Sequence, residues 1–168
     1  MGAIDDLLPS AASYHRTFDR STLQRPPARR LAVVTCMDSR INLFTMLGLR
    51  EGDAHIIRNA GGVITDDEIR SLAISQRIMG TREVLLIHHT DCGMQAFNDE
   101  DFRRELEAET GIPVPWDTEA FSDLDLDVRE SARRIIESPF IPHSDGVRGF
   151  VYDVVTGELR EVELDRAI

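Results

Sequence analysis

The sequence predicts a single α/β domain: a mostly parallel central sheet flanked by helices, preceded by an N-terminal helical arm and closed by a hairpin-like strand. Three features of the chain predict it. Leu31–Thr35 (LAVVT) and Glu83–His88 (EVLLIH) are continuous apolar, β-branched runs, as strands covered on both faces should be. Segments of helical periodicity alternate with the strands, and that order at these spacings implies parallel pairing. The 168 residues, 42% apolar and 29% charged, suit one globular domain with its own core.

In chain order, Ala11, Tyr14, His15 and Phe18 fall at i, i+3, i+4 and i+7 just after Pro9, a stripe for a helix opened by that proline. Gln24–Arg30 (QRPPARR) is a linker, dividing an arm at 1–30 from an α/β domain at 31–168. The first strand is Leu31–Thr35 and the second Ala54–Arg58. Thr65-Asp66-Asp67-Glu68 is a capping box, in which the Thr hydroxyl and Glu side chain satisfy N–H groups reciprocally. Ile69, Leu72, Ala73 and Ile78/Met79 give that helix its apolar face, and Gly80 is its left-handed stop. After the Glu83–His88 strand, Asp101–Glu109 is helical and Gly111–Trp116, with two prolines, is loop. Ser122 opens a helix with Leu124, Val128, Ala132 and Ile135 on one stripe, ended by Ser138-Pro139. Gly149–Val155 is the fourth strand. Thr156-Gly157 then turns the chain into Leu159–Leu164, where Val162 and Leu164 alternate with Glu161 and Glu163.

Composition removes several function classes. Acidic residues outnumber basic ones 30 to 19, a net charge of −11, which argues against a nucleic-acid partner. All 19 basic residues are Arg, so lysine Schiff bases, pyridoxal phosphate attachment and a Walker-type lysine are excluded. No run approaches a membrane span, and Met1–Asp6 lacks the features of a signal peptide, so a cytoplasmic protein is expected. Cys36 and Cys92 are too few for a disulfide scaffold.

In open α/β sheets, ligands gather at the carboxyl ends of the strands. The first strand runs into Cys36-Met37-Asp38-Ser39-Arg40, and the third into His88-His89-Thr90-Asp91-Cys92-Gly93. Singly, each residue has an ordinary reading: a buried thiol, an Asp capping the next helix, a surface Arg, a structural His. Together they suggest a metal site. The His-x-x-Cys spacing brings His89 and Cys92 to one ion from a single turn, and Cys36 adds a ligand from another strand. Zinc accepts two thiolates and one imidazole, and three protein ligands leave a fourth position for water, the mark of a catalytic site. A redox pair is the competing reading of the cysteines, without the Cys-x-x-Cys spacing that chemistry favours. Strand alternation points His88 away from His89. Gly61-Gly62 serves either a tight turn or a close approach of backbone to the pocket.

Cys36-x-Asp38-x-Arg40, His89-x-x-Cys92 and the intervening Arg58-Asn59-Ala60-Gly61-Gly62 resemble the landmarks of the β-class carbonic anhydrases, and the short chain resembles the small prokaryotic members. The resemblance spans about residues 31–165. It implies zinc ligands Cys36, His89 and Cys92, with about one Zn2+ per chain. It also implies an Asp38–Arg40 dyad beside the metal, with Asp38 a ligand only in a closed form. The implied reaction is reversible hydration of carbon dioxide to bicarbonate and a proton by zinc-bound hydroxide. N-terminal helices that reach across a partner imply a homodimer or higher homo-oligomer. One departure is the pocket glutamine of plant-type members, shortly before the first cysteine; here the stretch reads Arg25-Pro26-Pro27-Ala28, with Gln24 further upstream.

Independently of family, Asp38 lies two residues from a ligand and could orient a hydroxide or bind the metal itself, and the Arg40 fork could hold it away. His88, His55, His143 and Asp91 are candidates for exporting the proton only because they titrate. Two other functions fit the same residues. A hydrolase of carbonyl sulfide or carbon disulfide would use the same zinc site, behind a long apolar tunnel. A zinc-stabilised regulatory protein would have no use for the Asp38–Arg40 pair.

Overall fold

The computed structural model describes residues 2–164, so positions 165–168 of the domain expected at 31–168 lie outside the described residues. The strands are β1 (Leu31–Cys36), β2 (Ala54–Asn59), β3 (Glu83–His89), β4 (Val147–Tyr152) and β5 (Leu159–Val162). They form one sheet in the order β2-β1-β3-β4-β5. The first four are parallel, and β5 returns antiparallel to β4. The helices are α1 (Ala3–Thr17), α2 (Leu43–Leu47), α3 (Asp66–Arg77), α4 (Asp99–Thr110) and α5 (Leu124–Glu137). None is long and apolar enough to cross a membrane.

Side-chain alternation along the strands divides the core in two. Ala32, Val34, Val84 and Leu86 pack with Leu72 of α3 and Val128 and Ile135 of α5. Val33 and Ile87 face the other way, toward Ile41, Leu43 and Met94. Leu86 and Ile87 are both fully buried, on opposite faces of β3. At roughly 1.5–3 kcal/mol of burial each, such side chains make the strand leading to His89 a rigid platform. Thr35 lies opposite Ile87, so β1 and β3 finish side by side.

Several boundaries differ from the sequence reading. α1 begins at Ala3, and Pro9 lies inside it. The Gly2 N–H donates to Asp5 Oδ2 at 3.0 Å and starts the helix early. α1 buries no residue, so the carbonyl deprived of a partner by Pro9 can turn to water. α4 starts at Asp99, because Asn98 caps it by accepting from the N–H groups of Glu100 and Asp101. α5 is capped by Asp123 rather than opened by Ser122, its carboxylate accepting from Leu126 N at 2.9 Å. Asn42, not Asp38, caps α2. β4 spans Val147–Tyr152 instead of 149–155, because Asp153 accepts from the N–H groups of Val155 and Thr156, both at 2.8 Å, and begins the turn early.

Candidate metal centre

β1 ends in Cys36 and β3 ends in His89. The chain then turns through Thr90 and Asp91, so that Cys92 faces back toward both. The ligand atoms of Cys36, His89 and Cys92 all lie within 4.8 Å of one another, and all three residues are buried. The two Sγ atoms are 3.9 Å apart. A tetrahedral ion with two sulfur ligands at about 2.3 Å would hold them about 3.8 Å apart. His89 Nδ1 sits 2.9 Å from the Thr90 carbonyl, which can only accept, so Nδ1 carries a proton and, in the neutral ring, Nε2 presents its lone pair. That Nε2 is buried without a hydrogen-bond partner. The donor set, the spacing and the orphaned nitrogen all fit a zinc ion.

The electrostatics of the two cysteines point the same way. The hydrogen bond shared with Cys92, in which either sulfur can donate, pulls Cys36 well below the ordinary thiol range, against the opposing effect of burial. The His89 ring and the backbone N–H groups of Asp38 and Gly61 add to that pull. The same hydrogen bond, with burial, pushes Cys92 up. A divalent cation would replace the shared proton and take both sulfurs as thiolates. Burial is the largest single influence on the His89 ring and lowers it, but the Cys36 thiolate, the Thr90 carbonyl and Asp38 together raise it.

Asp38 and Arg40 flank the trio. Asp38 Oδ2 is 3.9 Å from His89 Nε2. Arg40 donates to Asp38 from Nε (3.0 Å), Nη2 (2.7 Å) and its backbone N–H (2.8 Å). The guanidinium first, and the backbone N–H second, hold the Asp38 carboxyl well below the usual carboxylate range. The pair raises Arg40 in turn, with Asp38 the larger cause and Asp91 the next. Asp38 is therefore ionised throughout the working pH range.

A scan of family models matches residues 31–159 to carbonic anhydrase. Beta-carbonic anhydrase 1 of Mycobacterium tuberculosis is 52% identical over 96% of this chain and 99% of its own length. The crystal structure of carbonic anhydrase from Streptococcus mutans superposes with a TM-score of 0.90 at 41% identity, covering 97% of this chain and 99% of that one. The chain belongs to the β-carbonic anhydrases. Within the same family circle, a carbon disulfide hydrolase of Acidianus sp. is 35% identical over 81% of this chain and 78% of its own length.

Around the Cys36, His89 and Cys92 cluster, the structure separates the candidates that the sequence could not rank. His88 turns to the opposite face, its Nε2 3.1 Å from the Gly62 carbonyl and its Nδ1 2.9 Å from Asp127 Oδ2, though off the line of a hydrogen bond. His55 Nδ1 meets Ser75 Oγ at 2.7 Å, and the His143 backbone is bound by Gln76, both away from the trio. Of the four titratable candidates, Asp91 alone touches the dyad. Gln24 lies exposed in the linker with its amide on the Thr22 carbonyl.

Both readings of the glycine pair hold. Gly62 has φ +78°, and a Cβ there would lie 2.8 Å from the Cys36 backbone nitrogen. Arg58 was visible only as part of a landmark. Its guanidinium donates to the carbonyls of Cys36 (2.9 Å) and Asp38 (2.6 Å) and clamps the loop that carries both residues. A charged side chain at the end of an otherwise apolar strand was the available signal.

Proposed function

We propose that this chain catalyses the reversible hydration of carbon dioxide to bicarbonate and a proton, using about one zinc ion held by Cys36, His89 and Cys92. The convergence of three soft, buried ligand atoms beside an ionised, Arg-bound Asp38 carries this reading. When bound, zinc supplies a Lewis acid that brings the ionisation of water toward neutral pH. Asp38, held by three donor groups of Arg40 and kept ionised, is placed to accept a hydrogen bond from the attacking group and fix its direction. Arg40 keeps that carboxylate from turning onto the ligands. The Thr90 carbonyl fixes the His89 tautomer, so the nitrogen facing the thiols stays an acceptor.

Carbonyl sulfide or carbon disulfide hydrolysis is the second reading, supported by relatives of that name. The rim of the site favours carbon dioxide: Arg40 and Asp91 are 44% and 78% exposed and make it charged rather than an apolar tunnel. Stopped-flow hydration of carbon dioxide on the purified protein, run beside hydrogen sulfide release from carbonyl sulfide, should show the first activity dominant. Sulfide release without carbon dioxide hydration would replace the first reading by the second.

A homodimer or larger homo-oligomer belongs to the same proposal. Ile4, Leu7, Leu8, Tyr14 and Phe18 of the arm are exposed, a stripe that a second copy would cover. Its helix meets the domain through Tyr14 donating to Glu51 at 3.3 Å, followed by an Arg20–Glu51 ion pair, and its linker is held by the Ala28 and Arg29 N–H groups on the Gly52 and Asp53 carbonyls. Light scattering should give at least twice the chain mass at micromolar concentration; a monomer would contradict it. Two free thiols 3.9 Å apart are compatible with a reducing compartment, and we place the protein in the cytoplasm.

A further inference from the structure

We propose that Asp91 is a positioning residue for the reaction, acting through Arg40; this rests on the reading of Asp38 and Arg40 given above. Arg40 is 44% exposed, and an exposed arginine held by one carboxylate ordinarily samples several rotamers. Here the guanidinium is held on two sides. Its Nε and Nη2 edge forks onto Asp38. Its other edge is taken by Asp91, with Nη1 donating to Asp91 Oδ2 at 2.6 Å and Nη2 donating to the Asp91 carbonyl at 2.8 Å.

The backbone at Asp91 is shaped for this. Asp91 has φ +54°, the left-handed region that few residues with a side chain adopt. In that conformation its carbonyl and its carboxylate both accept from the same guanidinium. Asp91 also lies between His89 and Cys92, so Arg40 links the two loops that supply the ligands. The direction of Asp38 is thereby referenced to the turn that carries His89 and Cys92, rather than to Arg40 alone. Networks of this kind, with a bidentate member, are the exception to the weakness of exposed ion pairs.

The test uses zinc-loaded protein carrying Asp91→Ala, Asp91→Asn or Asp91→Gly, each also combined with Arg40→Ala. Asp91→Gly accepts φ +54° without strain, so it separates loss of the carboxylate from loss of the turn. Removing one charge-assisted hydrogen bond should lower kcat for carbon dioxide hydration about tenfold in the Ala and Gly variants. KM should stay within about twofold, since the interaction is with Arg40 and not with substrate. Asp91→Asn, which keeps an acceptor oxygen, should retain most of the rate. In the Arg40→Ala background, Asp91→Ala should cost nothing further. Nitrogen-15 NMR supplies a readout independent of turnover: the Arg40 Nε–H signal, identified by its loss in Arg40→Ala, should exchange faster with water in Asp91→Ala. Unchanged kcat and exchange, additive losses in the double variant, or loss of zinc from Asp91→Gly would each overturn the proposal. If the wild-type protein does not hydrate carbon dioxide, the functional reading fails, while the exchange measurement still decides whether Asp91 orders Arg40.

Discussion

Cys36→Ser should emerge from purification with most of its zinc missing and its carbon dioxide hydration reduced roughly a thousandfold or more. A serine hydroxyl is neutral near pH 7 and a far poorer ligand for zinc than a thiolate. With zinc bound, the native trio would supply two negative charges and one neutral imidazole, balancing the ion; the variant would supply one negative charge. Cys36 also packs in the core cluster with Cys92, Ile41 and Ile87, so the substitution must be shown not to unfold the chain. Serine is close to cysteine in volume and follows the same backbone, and circular dichroism should be unchanged. Elemental analysis then decides. Full zinc occupancy in a folded Cys36→Ser protein would remove Cys36 from the ligand set and with it the proposed centre.

The candidate site is legible in the sequence because its residues are scarce and fall where an α/β sheet concentrates function. Cys36 and Cys92 are the chain's only cysteines, and the strands that lead to them announce themselves by continuous apolar runs. The parallel order of the sheet follows from alternation, and the turn of His88 to the face opposite His89 follows from strand pleating. What could not be read was set by backbone geometry or by contacts between distant segments. The left-handed turn at Asp91 leaves no mark in a His-x-x-Cys pattern, since both intervening positions read as arbitrary. The clamp of Arg58 on the Cys36–Ile41 loop joins strands whose pairing had first to be known. Local competition explains the helix ends: Ser122 and Asp123 are both good caps, and only the path of the chain selects Asp123. Pro9 reads as a helix start because a proline inside a helix is costly, a cost that exposure of α1 softens.

Arg40→Ala should keep about one zinc per chain and lose roughly a hundredfold or more of its activity near neutral pH. Asp38 has two possible partners, the Arg40 guanidinium and a metal at Cys36, His89 and Cys92, and it cannot fully satisfy both. Its Oδ2 already lies 3.9 Å from His89 Nε2, so a small side-chain rotation separates one state from the other. With Arg40 present, three donors hold the carboxylate off the ligands. Two of the three, Nε and Nη2, are lost in the variant, and only the backbone N–H remains to compete with a divalent cation. The freed carboxylate stays ionised, because it keeps the hydrogen bond from the backbone N–H of residue 40, which favours the charged form. It should therefore turn to the metal and exclude solvent. Raising the pH supplies hydroxide, which competes with a carboxylate for the ion better than water does, so the variant should regain part of its rate on the alkaline side. Arg40 itself does not titrate in the accessible range, and the wild-type enzyme should show a smaller gain over the same interval. Asp38→Ala offers the complementary case: no carboxylate is left to close the site, zinc remains, and the rate falls because the attacking group has lost the acceptor that directs it. The double variant should resemble Asp38→Ala and lack the alkaline recovery of Arg40→Ala. X-ray absorption on Arg40→Ala should resolve a carboxylate oxygen at the metal at neutral pH, diminishing as the pH rises. A variant with wild-type rates and no such oxygen would show that the arginine does not guard the site, and that Asp38 is held by its own backbone alone.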